Sequence, residues 1–352
     1  MAAAPAGRRF DWILRSVISA FAVGWIFAIA TATPEQSAAL RSRISANPLS
    51  PSSPPPNAYL LDAALREIAS KSDYAGISGE VRVVVRAPGD TLQQPDSLPP
   101  DVSIGYSPAG PDSAAPGTVQ TSPETPGVWN MLLRMRDGIR VVPQMKVITL
   151  VPLSEKRKGR IGSYLIGSWP NETGKPKSPQ YAPPRGLVRV TPQNQDIMVS
   201  EHFRLRDFLT KGQANVWPKY VAMSPRLLDK LELTIQELER SGQPVEHIGI
   251  ISGFRTPSYN EGGGNTAGRG ALSRHMYGDA MDWYIDNDRD GRMDDLNGDG
   301  RHDKKDPGVI GAAAERVERA HPELVGGIGL YSPTGAHGGF IHIDTRGFRA
   351  RW

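Results

Sequence analysis

The sequence predicts an α+β protein in two folded parts, a small β domain followed by a mixed domain. Three observations carry that expectation. Apolar residues alternate with period two from Gly79 to about Trp169, with turn-rich breaks between the runs. Two stretches beyond Val199 carry apolar residues at helical spacing. Short strands lie beside those helices, and in them His and Asp alternate with Ile, Met and Trp.

The 352 residues carry 41 Lys and Arg against 37 Asp and Glu, a net charge of +4 spread without a basic stripe, so no nucleic-acid partner is expected. Cysteine is absent. That excludes disulfides, thiolate nucleophiles and cysteine zinc sites, and leaves His and carboxylates as the only strong metal ligands.

Arg8, Arg9 and Arg15 precede an uncharged run from Ser16 to Thr33, which reads as an export signal or membrane anchor over residues 1–33. Its strongly apolar part, about 15 residues, is long for a signal core and short for a comfortable span. Ala28-Ile29-Ala30 and Ala30-Thr31-Ala32 offer cleavage sites. Either outcome puts the remainder in the periplasm or outside the cell, held to the membrane if the segment is uncleaved. A Pro/Ser linker, residues 34–57 with NPLSPSSPPP at its end, then favours an extended tether.

Residues 58–190 read as a short helix from Ala58 to Ser70 and a sandwich-like β domain. EVRVVVRA leads into a long loop, Pro88 to Gly127. WNMLLRMRDGIRVV follows, with Asp137-Gly138 as a hairpin turn, then MKVITLVP and IGSYLIGSW. No catalytic grouping of polar residues occurs there.

Residues 191–352 open near VSEHFRLRDFL, with Ser200 expected as a helix N-cap. Ser224-Pro225 starts a helix whose Leu228, Leu231, Ile235 and Leu238 form one stripe, ended by Gly242. HIGIISGFR reads as a strand entering a turn. SRHMYGDAMDWYID and GFIHIDTR read as further strands, with the helix GAAAERVERA between them.

Five of the seven His residues follow Leu272. Period two places Gly278, Ala280 and Asp282 on one strand face, where two small residues leave room for a metal, with His275 arriving from the preceding loop. On FIHIDTR the same period puts His342 and Asp344 on one face and Ile341 and Ile343 on the other. His275, Asp282 and His342 then form a two-His, one-carboxylate set suited to zinc. No HExxH occurs, so a helix-borne zincin site is excluded. Each residue alone more often serves as a satisfied polar group; the combination carries the expectation.

SGFRTPSYN, SRHMYGDAMDWYI and GLYSPTGAHGGFIHIDTRGFRARW together resemble the zinc peptidases that cut D-amino-acid peptides of bacterial cell walls. These form the D-Ala-D-Ala carboxypeptidase, dipeptidase and murein endopeptidase family, which shares its fold with the hedgehog signalling domain. The murein endopeptidase K-like branch is the nearest in motif. The resemblance covers roughly Val199 to Trp352 and rests on an SGYR-type turn, an SxHxxGxAxD element and an HxD strand followed by R and W. It implies a hedgehog/DD-peptidase-like domain, zinc on His275, Asp282 and His342, and peptidoglycan peptides as substrate. It also makes Arg255 the group that meets a substrate carboxylate or carbonyl, and Ser273 the motif serine.

The sequence departs from that family at the general base. Relatives often carry Glu three residues before the last zinc His, where this chain has Gly339, and others carry His two residues before it, where this chain has Phe340. Two candidates stand nearby, His337 and Asp344. The preferred assignment is His337 as base and Asp344 as orienter of the His342 ring.

After the Asp282 strand comes an insertion, residues 286–306, DNDRDGRMDDLNGDGRHDKKD, with a nine-residue repeat. Asp286, Asp288, Asp290 and Asp294 correspond to Asp295, Asn297, Asp299 and Asp303. Gly291 and Gly300 take the turn position, and Asp306 closes the second copy. Oxygen ligands at positions one, three and five around such a glycine suit calcium. The pattern resembles the tandem DxDxDG loops of dockerin and thrombospondin-type modules; a solvated acidic loop is the alternative. The sequence thus points to an exported zinc peptidase of the cell wall. A cell-wall scaffold that kept the fold without hydrolysis, and a calcium-dependent adhesion module, are the other readings.

Overall fold

β-branched and aromatic residues at alternating positions give the first strands, because such side chains pack well on a pleated surface. In the computed structural model the described residues are 81–92, 102–109, 121–136, 138–176, 178–264, 269–334 and 337–352. The signal or anchor, the linker and the helix expected from Ala58 lie outside them. Among the described residues no helix is long and apolar enough to cross a membrane.

Strands β1 (Arg82–Arg86), β2 (Ser103–Pro108), β3 (Gly127–Met135) and β4 (Gly138–Thr149) form one sheet in the order β1-β4-β3-β2. β1 runs parallel to β4 and the other pairs are antiparallel. Period two divides its residues: Val83, Val128 and Ile148 face the main core, while Val84, Trp129 and Val147 join a second cluster with Ile104, Tyr106, Met131 and Leu133. This corrects two expectations. SIGYSP is a strand inside the loop expected from Pro88 to Gly127. RVV and MKVIT belong to one twelve-residue strand rather than two. The four-stranded sheet has a core cluster on each face.

Next come β5 (Val151–Pro152), a two-stranded hairpin of β6 (Arg160–Ile161) and β7 (Tyr164–Leu165), then β8 (Gly186–Val190) and β9 (Lys219–Val221). β8 pairs with both β5 and β9. The boundary drawn between 190 and 191 therefore falls inside a hydrogen-bonded sheet. Residues 151–190 also hold the motif-bearing segments in place. Trp169 Nε1 donates to Met276 O at 2.7 Å, Ser258 N donates to Ile166 O at 2.9 Å, and Arg274 Nη1 donates to Gln180 O at 2.5 Å. Ser200 is buried but caps no helix; the turn there is a short 3-10 helix, Leu205–Phe208, bracketed by Arg204 and Asp207.

Helix α1 (Pro225–Arg240) begins with proline in its first turn and buries Leu228, Leu231, Ile235 and Leu238. Each such side chain contributes roughly 1.5–3 kcal/mol on burial. A short α2 (Pro257–Gly262) follows β10 (Ile248–Ser252); then come β11 (Ala280–Ile285), α3 (Lys305–Ala320), β12 (Gly327–Tyr331), β13 (Phe340–Asp344) and β14 (Ala350–Arg351). These five strands form a sheet in the order β10-β11-β13-β12-β14. Met281, Trp283, Ile341, Ile343 and Ile328 point to the face covered by α1 and α3, in one cluster with Ile310, Ala313 and Ala314. The opposite face is left for polar side chains.

A buried charge network ties this layer together. Lys230 of α1 donates to Glu318 of α3 at 2.6 Å and to Asp344 O at 2.7 Å, and Glu318 also meets Arg351. Lys230 is fully buried, so both contacts are needed to offset its desolvation.

Candidate metal centre

Strand register assembles the site. Ser252 stands opposite Asp282, Asp282 opposite His342, and His342 opposite Gly329, so four strands present one continuous row on the polar face. His275 joins from outside the sheet on a 3-10 helix, Arg274–Tyr277, that precedes β11. The expected strand through Gly278 is corrected here: β11 starts at Ala280, and Gly278 closes the 3-10 turn at φ 72°. A Cβ on Gly278 would lie 2.3 Å from the Ala222 carbonyl carbon and oxygen, so its missing side chain admits backbone rather than metal.

His275, Asp282 and His342 are all buried and turn one donor atom each toward a common point. His275 Nε2 lies 3.2 Å from His342 Nδ1 and 3.2 Å from an Asp282 oxygen, and His342 Nδ1 lies 2.8 Å from the other Asp282 oxygen. Tetrahedral N and O ligands at about 2.0–2.1 Å from zinc stand about 3.3 Å apart, close to this spacing. The outer nitrogens are engaged as a metal site requires. His275 Nδ1 is 2.6 Å from Gly253 O, and His342 Nε2 is 3.0 Å from Asp344 Oδ2. Each outer contact accepts an N–H, so that in the neutral ring the inner nitrogen is the one with the lone pair. The group can hold a metal ion, and a two-His, one-carboxylate set is shared by zinc and ferrous iron.

Electrostatics follow from this crowding. Burial alone would raise Asp282, but the His275 and His342 imidazoles hold it well below the usual carboxylate range. Burial lowers His275. For His342 desolvation is outweighed by hydrogen bonds to Asp282 and Asp344, and its pKa is pushed up to about 9.

Asp344 is fully buried and heavily used. It meets His342, accepts Gly327 N at 2.7 Å and accepts Arg346 Nε at 2.9 Å. Burial would raise its pKa, yet His342 and Arg346 hold it well below the carboxylate range. Gly326 and Gly327 allow the approach, since a Cβ on either would come within 2.3 Å of Asp344 atoms. So saturated a carboxylate positions the His342 ring and is a poor proton acceptor. Arg255 donates to Asp282 at 2.6 Å and to Ser252 Oγ at 2.8 Å, at the rim of the cluster.

His337 lies in the segment before β13, half-buried, with Nδ1 2.7 Å from Gly338 O and its ring edge-on to Phe340 at 4.9 Å. That contact places the proton on Nδ1 and leaves Nε2 as an acceptor. Ser273 caps the 3-10 helix through its backbone. Sequence reasoning passed over the Gly253 carbonyl, which no side-chain pattern reveals, and Tyr331; it met Trp352 only as the closing residue of a motif, without a role. Trp352 lies over Gly329 with its ring 5.1 Å from His342.

In the insertion, Asp286, Asp288 and Asp294 converge, whereas Asp290 accepts Arg292 N at 2.8 Å apart from them. Mutual repulsion adds to burial in raising Asp294. The second copy folds on itself: Asp295 accepts Gly298 N and Gly300 N, and Asn297 accepts Asp299 N. Asp299 pairs with Lys305 at 2.6 Å, Asp303 lies 4.0 Å from that ammonium, and Asp306 accepts Leu296 N and Asp303 N. Met293 and Leu296 anchor the insertion in the main core, and its backbone passes beside Gly338.

Comparison of the chain with family models, with curated proteins and with solved structures finds no match.

Proposed function

We propose that this chain is an exported zinc metallopeptidase that hydrolyses amide bonds in peptidoglycan stem peptides or cross-links. The observation that supports it is the convergence of His275 Nε2, Asp282 and His342 Nδ1 with both outer ring nitrogens engaged. The chemical class comes from the resemblance of the three motifs to the D-Ala-D-Ala peptidase family.

Bound there, zinc supplies Lewis acidity for attack of water on an amide carbon. His337 Nε2 takes the proton of the attacking water and passes it to the leaving amine nitrogen as the C–N bond breaks. Arg255 turns from Asp282 toward a carboxylate or carbonyl of the substrate, as a forked cation suits. Asp344 keeps the His342 ring in register. Calcium bound between Asp286, Asp288 and Asp294 would neutralise that loop and stiffen the neighbouring Gly338 segment.

One specific observation favours a second reading, a cell-wall scaffold without hydrolysis. Gly339 and Phe340 occupy the positions where relatives carry a base, and Arg255 lies across Asp282. Zinc-loaded protein incubated with purified muropeptides, with products identified by mass spectrometry, separates the two. Release of D-Ala marks a carboxypeptidase, cleavage of dimers marks an endopeptidase, and intact muropeptides with retained binding support the scaffold.

A further inference from the structure

The inference concerns Tyr331 and rests on the peptidase reading. Tyr331 stands opposite Phe340 on β12, two residues beyond the Gly329–His342 pair, so it emerges on the same sheet face as His342 and Asp282. Its ring stacks on Phe340 with centroids 4.3 Å apart and planes within 6°. Trp352 Nε1 donates to the Tyr331 hydroxyl at 2.7 Å.

An indole N–H can only donate, so the phenol oxygen is the acceptor in that contact. Its own proton must go to a third group, and among the described residues none accepts it. The hydroxyl also shares the local field of the cluster: Asp282 and Arg255 both act on it. Burial pushes its pKa up from the ordinary phenol value, so it keeps its proton through the neutral range.

We propose that the Tyr331 hydroxyl is a catalytic hydrogen-bond donor to the scissile carbonyl oxygen, working opposite Arg255 and aimed by Trp352. It donates a hydrogen bond to the oxygen as negative charge develops there, and the proton stays on the phenol. Such a donor acts most strongly where charge appears in the transition state, so it changes turnover more than substrate binding. Trp352 is a positioning residue. Its indole rests on Gly329, where a Cβ would lie 2.4 Å from Nε1.

The test compares wild-type protein with Tyr331→Phe and Trp352→Phe, all loaded with zinc and checked for equal metal content. Tyr331→Phe keeps the ring that stacks on Phe340, so the fold is preserved. We expect kcat on a muropeptide to fall about a hundredfold in Tyr331→Phe with KM little changed. Affinity for a dipeptide phosphinate, whose tetrahedral phosphorus and anionic oxygens mimic the tetrahedral carbon and its oxyanion, falls in parallel when measured by calorimetry. Trp352→Phe gives a smaller loss with the same split between kcat and KM. A Tyr331→Phe protein with wild-type kcat and wild-type phosphinate affinity overturns the inference and leaves the peptidase reading intact. Wild-type protein that cuts no muropeptide overturns both.

Discussion

The Asp344 carboxylate lies 3.0 Å from Nε2 of His342 and thereby turns Nδ1 toward Asp282 and His275. Two residues apart on one strand, they share a face, and the short side chain of Asp344 reaches back to the ring.

Asp344→Asn removes the charge but keeps the shape. We expect zinc affinity to fall about 10- to 100-fold, the usual cost of losing such a supporting carboxylate. His337→Ala leaves zinc affinity unchanged and lowers kcat by about two to four orders of magnitude. Zinc titration and turnover of both variants check this. Full turnover in His337→Ala, with loss in a zinc-retaining Asp344 variant, would reverse the assigned roles.

Zinc uptake should release a proton at neutral pH. Without metal, hydrogen bonds to Asp282 and Asp344 outweigh desolvation and push His342 up to about 9, so at pH 7 both ring nitrogens carry hydrogen. A metal needs the Nδ1 lone pair, so proton and zinc compete. Affinity therefore tightens as pH rises toward 9, by about tenfold per unit, and levels off above it. Calorimetric zinc titrations in two buffers of different ionisation enthalpy measure the proton directly; equal heats in both at pH 7 would contradict this.

The sequence made the candidate polar cluster legible because β11 and β13 follow a period of two, which sorts His342, Asp344 and Asp282 from Ile341, Ile343 and Met281 without tertiary information. It misread Gly278, since the approach of Ala222 depends on a loop fifty-odd residues away in sequence. It ended a part at β8 for a similar reason: β8 pairs with β5 on one side and with β9 beyond the boundary, and such long-range pairing leaves no local mark. Tyr331 escaped notice because its relevance comes from register with β13, not from its own neighbours in sequence.

Gly278→Ala should be destabilising for two separable reasons. A left-handed backbone costs alanine roughly 1–2 kcal/mol. The Cβ would also sit 2.3 Å from Ala222 backbone atoms, which forces the turn carrying His275 to move. Gly291 has φ 82° with no atom within 4 Å of a built Cβ, so Gly291→Ala isolates the backbone cost. We expect a larger fall in Tm for Gly278→Ala, accompanied by weaker zinc binding. Equal Tm losses would remove the steric argument.

Calcium should raise Tm if the Asp286, Asp288 and Asp294 oxygens hold it, because it would relieve repulsion among the carboxylates that converge there. The expected pattern is a rise on adding calcium, reversal by a calcium-selective chelator, and no response in Asp286→Asn/Asp288→Asn. A wild-type Tm that ignores both calcium and chelator would leave the loop as a solvated acidic turn.

Asp229 on α1 provides a pH test outside the candidate metal centre. Burial pushes its pKa up to about 6, with Arg82 opposing part of the shift. Its unfolded value is near 3.8, so between about pH 4 and 6 the folded state binds more protons than the unfolded chain. Stability attributable to this group is therefore highest below pH 4 and falls as pH rises through 6, a loss of roughly 1–3 kcal/mol. Asp229→Asn cannot ionise and keeps the side-chain volume. We expect its Tm to exceed that of wild type at pH 8 and to match it near pH 4, with the difference growing across the interval. A difference that stays constant from pH 4 to 8 would show that the Asp229 charge carries no such cost.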